Sequence, residues 1–524
     1  MLKYFITRII KGLLSIIAVI VIVMFLIYTL MDREQIFVTD AVYQHQANNA
    51  QVKYKYEKWE KYGYIDYVNF TEFVDSCIES DGLTAEEAVD IKTLALKRSD
   101  NSAKTEEYIA KFQEYYKGYK MIYLNAKMSG VRVGSGGNPY CFVYRDVPII
   151  SRVFNYFTKI IKIDNIHKAE GIDDSARGIK LVLNDPAYGG KKFSPAIMGT
   201  GTNYKYLLYF DDQSPYIHQN LVRLNLGVSY SVSKNKEILL SMTESQGSLV
   251  KRSTIFPSGV VAESSDNIHT LTYVEGSFSD KNPVYFARFV DDYTNCSSFR
   301  NGKSRMAYSF IIGIIASTCA YLLGFPLGIM MARNKDGVLD KIGTMYIIFI
   351  IAVPSLAYIF MFKGIGVRLF KLPSTFDVNA EKKLMYVLPI VSLALPSVAN
   401  LMKWLRRYMI DQMNSDYVKF ARSGGLSENE IFTKHILKNA MIPIVHGVPG
   451  TILGALTGAI ITERVYSVPG VGQVLTEAIN AYDNGVIVGV TLFYAVLSVT
   501  SVILGDLLMA AVDPRISFVS KKGA

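Results

Sequence analysis

Apolar residues do not simply alternate along this chain; they come in blocks. Six blocks lack Asp, Glu, Lys and Arg altogether: 12–31, 306–331, 342–362, 384–402, 440–462 and 485–505. Each runs to about 19 residues or more, close to the length at which an α-helix crosses the hydrocarbon core of a bilayer. Pro326, Pro354, Pro389, Pro396, Pro443 and Pro449 fall inside them. Membrane helices tolerate such breaks where neighbours satisfy the freed backbone groups, so the pattern predicts a packed bundle of spans. The first block follows Lys3, Arg8 and Lys11, as a signal peptide would. Its apolar run is too long for one, and "YTLMDREQ" after it offers no small-residue cleavage site. It reads as a retained helix.

The segment between the first two blocks, 32–304, has another texture. Thr84 and Glu87 have capping-box spacing. Ile109, Phe112, Tyr115, Tyr116 and Tyr119 recur at helical spacing. Further on, the short runs "YKYLLYF", "KEILLSM" and "HTLTYVEGSF" are separated by Gly, Pro, Ser and Asn and read as strands. The segment is long enough to bury a core of its own. It is predicted to be a mixed α/β domain, with the aromatic stripe as core in preference to a ligand platform.

Charge sets the orientation. With the N-terminus in the cytosol, the inner segments hold sixteen Lys and Arg and the two short outer loops hold six, which favours both termini inside. Residues 32–304 then lie outside. They carry 33 basic and 33 acidic side chains, so the formal charge of +10 belongs to the rest of the chain. The basic balance thus reflects membrane topology; nucleic-acid binding would need a clustered basic face on a folded domain. The predicted organisation is a cytosolic N-terminus and first span over 1–31, an extracytoplasmic domain over 32–304, and a five-helix core over 305–524 with a cytosolic loop at 403–439.

Catalytic chemistry is hard to place. "GKS" at 302–304 lacks the upstream glycine of a phosphate-binding loop, since Ser297 stands there. Tyr482-Asp483 and Gly505-Asp506 resemble an intramembrane aspartyl protease pair, but Ile503 occupies a position that motif gives to glycine. Asp506, alone in the last span, still requires a role, and a structural partner in the bundle is the simpler one. Cys77, Cys141 and Cys296 fall outside and Cys319 in the second block, without metal-type spacing.

The polar stretch "FARSGGLSENEIFTKHILKNAMIP", 420–443, sits between two apolar blocks. Asp416 is placed to cap a short helix through Val418, Phe420 and Ala421, which Gly424-Gly425 would end. Ser427 and Glu430 have capping-box spacing for a second helix. Ile431, Phe432, Ile436 and Leu437 would give that helix an apolar face. Two helices at a glycine elbow suit docking into a groove on a partner; an ordinary interfacial loop is the plainer alternative on these grounds alone.

The stretch resembles the cytosolic coupling loop of ABC importer permeases, whose signature is E-A-A, three residues, Gly, nine residues, I-x-L-P. Ala421, Gly425 and Leu437 stand at matching positions. Lys419, Phe420, His435 and Lys438 depart from it, and proline comes later, at Pro443. That variant resembles the peptide and nickel branch. "MLKYFITRIIKGLLSII", "LNLGVSYSVSKNKEI", "TERVYSVPGVGQVLTEAI" and "LGDLLMAAVDPRI" resemble further segments of that branch. Together they are similar to B-type permease subunits of oligopeptide importers, in the form with an enlarged outer domain.

The resemblance implies a mainly α polytopic protein: six transmembrane helices of the type I permease fold, with the outer domain between helices 1 and 2. It implies a second permease as partner in the translocation path, two ATPase subunits beneath and a peptide-binding protein outside. The chain itself would bind no cofactor, and ATP and Mg would sit on the ATPases. Lys419, Arg422 and Glu428 would set register at the ATPase surface, Phe420 and Leu426 would fill its groove, and Ala421 and Gly425 would shape the loop. Glu463, Pro469, Gly470 and Gly472 would form an outer gate. Two rival functions remain in view: a permease for nickel or another small solute, and a membrane sensor with a ligand-binding ectodomain. Scattered His residues weigh against the first, and six spans with no output domain against the second.

Overall fold

The structure is a computed structural model. It describes residues 2–46, 48–124, 138–163, 178–184, 193, 195–200, 206–210, 215–217, 222–230, 237–249, 252–255, 261–264, 266–267, 297–298, 301–380 and 383–512. The run "HTLTYVEGSF" lies outside them.

Among the described residues, five helices are long and apolar enough to cross a membrane. The first span is Leu2–Leu30, the second Arg305–Arg333, the fourth Val387–Met413 and the sixth Asn484–Val512. The fifth runs from Glu428 to Tyr466. The third apolar block behaves differently. It splits into Val338–Ala352 and Ser355–Phe370, bent by 114° around Pro354. Proline disfavours helical geometry in the residue before it and lacks an N–H for the ladder. Counted as one broken span, this third pair brings the membrane-crossing segments among the described residues to six.

The fourth and fifth spans also outrun their apolar blocks. Most of the loop predicted at 403–439 is helix, with turns only around 414–415 and 424–427. Charged side chains extend these helices because they find partners: Arg406 makes a two-pronged ion pair with buried Asp340, at 2.5 and 2.6 Å.

Small residues bring the bundle together. A side chain at Gly324 would meet the Val398 carbonyl at 3.1 Å, and one at Gly328 would meet Leu405 at 3.2 Å. Close approach through glycine is how membrane helices gain packing where apolar burial offers no preference over lipid. At one end of the bundle, Tyr308, Ile312, Tyr358, Phe376 and Tyr466 form one buried cluster; at the other, Leu405, Met409, Ile431, Phe432 and Ile436 form another.

The segment that follows the first span is mainly helical in its first described part. Thr84 and Glu87 make the capping box in both directions. The stripe residues Ile109 and Phe112 are buried, whereas Tyr115 is exposed and Tyr119 lies beyond the helix end. A three-stranded antiparallel sheet joins Ile65–Asn69, Tyr140–Asp146 and Lys120–Leu124, with Tyr140–Asp146 central. "YKYLLYF" supplies the strand Tyr206–Phe210. "KEILLSM" does not form a strand: Ile238–Thr243 is a helix whose Ile238 and Met242 are buried against the bundle. A strand would place Leu240 on the same face as these two, yet Leu240 is exposed, as the helical period requires. Cys141 is buried, which pushes its thiol up to about 12 and makes it inert at neutral pH.

The domain is not a separate body on a tether. Leu226, Ile238 and Met242 share a buried cluster with Ile20 and Met24 of the first span and Val486 and Val490 of the sixth. The Arg152 guanidinium stacks over Tyr28 and Tyr64, 3.8 and 3.9 Å from the ring centres. Asp483 binds the Ser229 hydroxyl at 2.5 Å and the Tyr230 amide at 2.9 Å, both buried. The sequence "LGVSY" is thus tied to the N-terminal end of the last span.

Candidate functional site

The short helix Asp416–Ser423 follows the fourth span at Ser415. Ser415 takes the N-cap position, and Asp416 sits in the first turn and pairs with Lys419 at 2.9 Å. Val418 and Ala421 are buried among Leu405, Met409, Ile431 and Phe432. The opposite face carries Phe420, which is 81% exposed, and Leu426 beyond the elbow is exposed as well.

The elbow itself differs from the sequence expectation in two ways. Gly424 has an ordinary backbone and Gly425 alone is left-handed, at φ 81°. A side chain at 425 would meet nothing within 4 Å, so conformation, not crowding, selects glycine there. Arg422 and Glu428, expected to face the ATPase, grip each other across the elbow at 2.5 and 3.0 Å. Each holds the other charged: Glu428 falls below its usual value and Arg422 rises above its own. Ser427 and Glu430 complete their capping box. The fifth span then starts, wound as a π-helix over Ile431–Leu437 before Lys438–Tyr466. Arg333 at the end of the second span donates to Asn429 at 2.6 Å. The elbow is therefore joined to the second, fourth and fifth spans.

At the end of the bundle opposite the elbow, Glu463, Gly470 and Gly472 come together. Glu463 is buried; its carboxylate accepts from the Ser309 hydroxyl at 2.6 Å and from the Gln473 amide at 3.2 Å. Ser309 in turn accepts from the Val471 amide at 2.9 Å. A side chain at Gly470 would strike the Glu463 carboxylate, and one at Gly472 would strike Ile460. Pro469 lies in the turn between Val468, which is fully buried, and Gly470. Around it the Tyr466 carbonyl accepts from Phe376 and the Tyr466 hydroxyl meets Ser392 at 2.9 Å. The second, fourth and fifth spans and the helix Val471–Asn480 meet in this knot. Ser309 was not predicted; a lone serine in an apolar block carries no local signal.

Asp506 lies against Arg8 of the first span at 2.9 Å and His446 of the fifth at 3.4 Å. It joins three helices on the half of the bundle nearer the elbow.

One further feature was not foreseen in the sequence. Spans two, four and five line an open-sided cavity of about 400 Å³. Tyr321, Asn400, Trp404 and Tyr408 line it opposite Gly447, Gly450 and Gly454. Gly-x-x-Gly-x-x-x-Gly at 447–454 is a signal in the sequence, but it is equally the signal of close helix packing.

Comparison with known proteins gives this geometry its context. Residues 324–518 match the family model "Binding-protein-dependent transport system inner membrane component". The chain is 36% identical to the oligopeptide transport system permease protein AmiC of Streptococcus pneumoniae, over the full length of both. It is 32% identical to the dipeptide transport system permease protein DppB of Lactococcus lactis, over 43% of this chain and 73% of that protein.

The chain belongs to the permease family of ABC importers. It is a multi-pass membrane protein with the type I permease domain, and its role is transport. Its family acts with a partner permease, ATPases and a binding protein. The match to AmiC includes the outer domain, so that domain is shared with at least one relative, whereas DppB aligns over less than half of this chain.

Proposed function

We propose that this permease imports oligopeptides, driven by two separate ATPase subunits, with a second permease completing the path and an extracytoplasmic binding protein delivering substrate. Full-length identity to a peptide permease supports the substrate class. The observation that carries the coupling role is the two-faced helix Asp416–Ser423. One face is fixed in the bundle by Val418 and Ala421, while Phe420 stands in solvent. A large apolar side chain at a rigid helix surface is an anchor for a partner pocket. Closure of the ATPases would push this helix, and the contacts to Asn429, Leu405 and Ile431 would pass the movement to three spans.

The rest of the assignment follows from the same orientation. Both termini lie in the cytosol, and 32–304 lie outside. ATP and Mg bind the partner ATPases; this chain needs no cofactor. Glu463, Pro469, Gly470 and Gly472 close the outer end of the path. Lys419 and Leu426 flank Phe420 at the ATPase surface, whereas Arg422 and Glu428 act on each other and keep the elbow in shape. The outer domain, fixed to the last span through Asp483, forms part of the docking surface for the binding protein.

The test is reconstitution of the purified four-subunit complex with its binding protein in liposomes. ATP should drive accumulation of a labelled tetrapeptide, and nickel should not accumulate. ATP-dependent uptake of nickel without peptide would reverse the substrate assignment.

A further inference from the structure

The cavity between the second, fourth and fifth spans has three properties that converge. Asn400 lies near the middle of its span and is exposed. In lipid its carboxamide would lack partners, at a cost of several kcal/mol, so this face meets either a watery path or another polar surface. Among the described residues, the glycines opposite leave open space on the side where a side chain would stand. A side chain at Gly447, Gly450 or Gly454 would meet nothing within 4 Å, whereas Gly313, Gly324 and Gly328 of the second span are pressed against Leu456, Leu401 and Leu405. The fifth span therefore presents open backbone where the second presents filled contacts. Finally, Trp404 and Tyr408 stack on one another, 5.6 Å between centres and 26° apart, one helical turn below Asn400. Lys403 and Arg407 flank the indole at 5.7 and 5.4 Å.

We infer that this face is the chain's contact surface for a peptide in transit, and that it engages peptide backbone without selecting side chains. The inference rests on the peptide-permease reading and adds the residues that meet the substrate. Asn400 offers a donor and an acceptor, the complement of one peptide unit. An aromatic shelf accepts any flat amide or apolar side chain through its face. A glycine wall projects nothing that would discriminate among residues. The volume falls within the range of small-molecule sites, about 300–1,000 Å³. Sequence-tolerant contact is what an importer of mixed peptides requires.

The test uses the reconstituted four-subunit complex with Gly450→Ala, Gly450→Leu and Gly450→Trp. Uptake of tetra-alanine should fall stepwise with side-chain size, by at least tenfold for Trp. Subunit copurification should persist. Unchanged uptake with Gly450→Trp would place the path elsewhere. Loss of the partner permease from the Gly450→Trp complex would make the glycine wall a subunit interface and overturn the inference. A second variant tests selectivity: Trp404→Ala should lower uptake of tetra-alanine and of its Glu- and Lys-containing analogues by the same factor. A factor that depends on peptide charge would show that the shelf reads side chains. If the wild-type complex takes up no peptide, the broader reading fails first, independently of these variants.

Discussion

Gly425 shows how finely the coupling elbow is specified. Its φ of 81° is a left-handed conformation in open space. An L-residue there costs roughly 1–2 kcal/mol, least for Asn. Gly425→Asn should therefore keep most peptide uptake, and Gly425→Val should lose it while the protein still inserts and pairs; equal uptake by the two would refute the conformational argument. Phe420→Ala should leave the fold within about 0.5 kcal/mol, because the side chain touches solvent. Its effect belongs to the partner: affinity for the ATPases should drop at least tenfold, a loss of about 1.4 kcal/mol, measured by titrating ATPase onto permease in nanodiscs. The Arg422–Glu428 pair has a defined pH window. Glu428 is depressed in the folded state, so its contribution is present above the unfolded value of about 4.3 and fades as pH falls through the folded one. Between about pH 6 and 8 the pair stays charged, and Arg422→Gln should shift the level of ATP-driven uptake without changing its pH profile. A profile that changed with the substitution would assign the pair a titrating role.

At the scale of elements, legibility divides by the range of the cause. The blocks and capping boxes were legible because they depend on neighbours within a turn or two. The break at Pro354 was half legible: the proline was visible, but a bend of 114° depends on what the two halves pack against. The helix Ile238–Thr243 reads as a strand in the sequence, since a short apolar run has no distinguishing period and its burial against the first span decides it. Val468 is the clearest case of tertiary override. It sits in a turn rich in Pro and Gly, the texture of an exposed loop, yet Glu463 and Ser309 beneath bind the amides of 471 and 473 and bury it. A cysteine at Val468 should therefore resist a membrane-impermeant thiol reagent in the resting complex, while one at exposed Ser467 reacts. Nucleotide should change the rate at 468 if the knot opens as a gate. A rate at 468 that matches 467 in every nucleotide state would contradict a closed knot.

The whole molecule is held by long-range pairs that no local pattern announces. Asp483 meets Ser229 and Tyr230, and Asp506 meets Arg8 and His446. Removing one partner of such a buried bond leaves the other unsatisfied, about 1–3 kcal/mol each. Asp483→Ala should loosen the outer domain from the bundle, seen as faster proteolysis within 32–304 with membrane insertion unchanged; identical cleavage kinetics would mean the domain is held elsewhere. These pairs give the bundle two ends that are each tied to the fifth or sixth span, with the elbow at one end and the Glu463 knot at the other. In the proposed coupling scheme, ATPase motion enters at the elbow. A photo-crosslinking amino acid at position 420, in the complex isolated from native membranes, probes that entry point. The expected result is a crosslink to an ATPase subunit, identified by mass spectrometry, whose yield changes with bound nucleotide. Crosslinks to lipid alone, or none under any nucleotide condition, would contradict it.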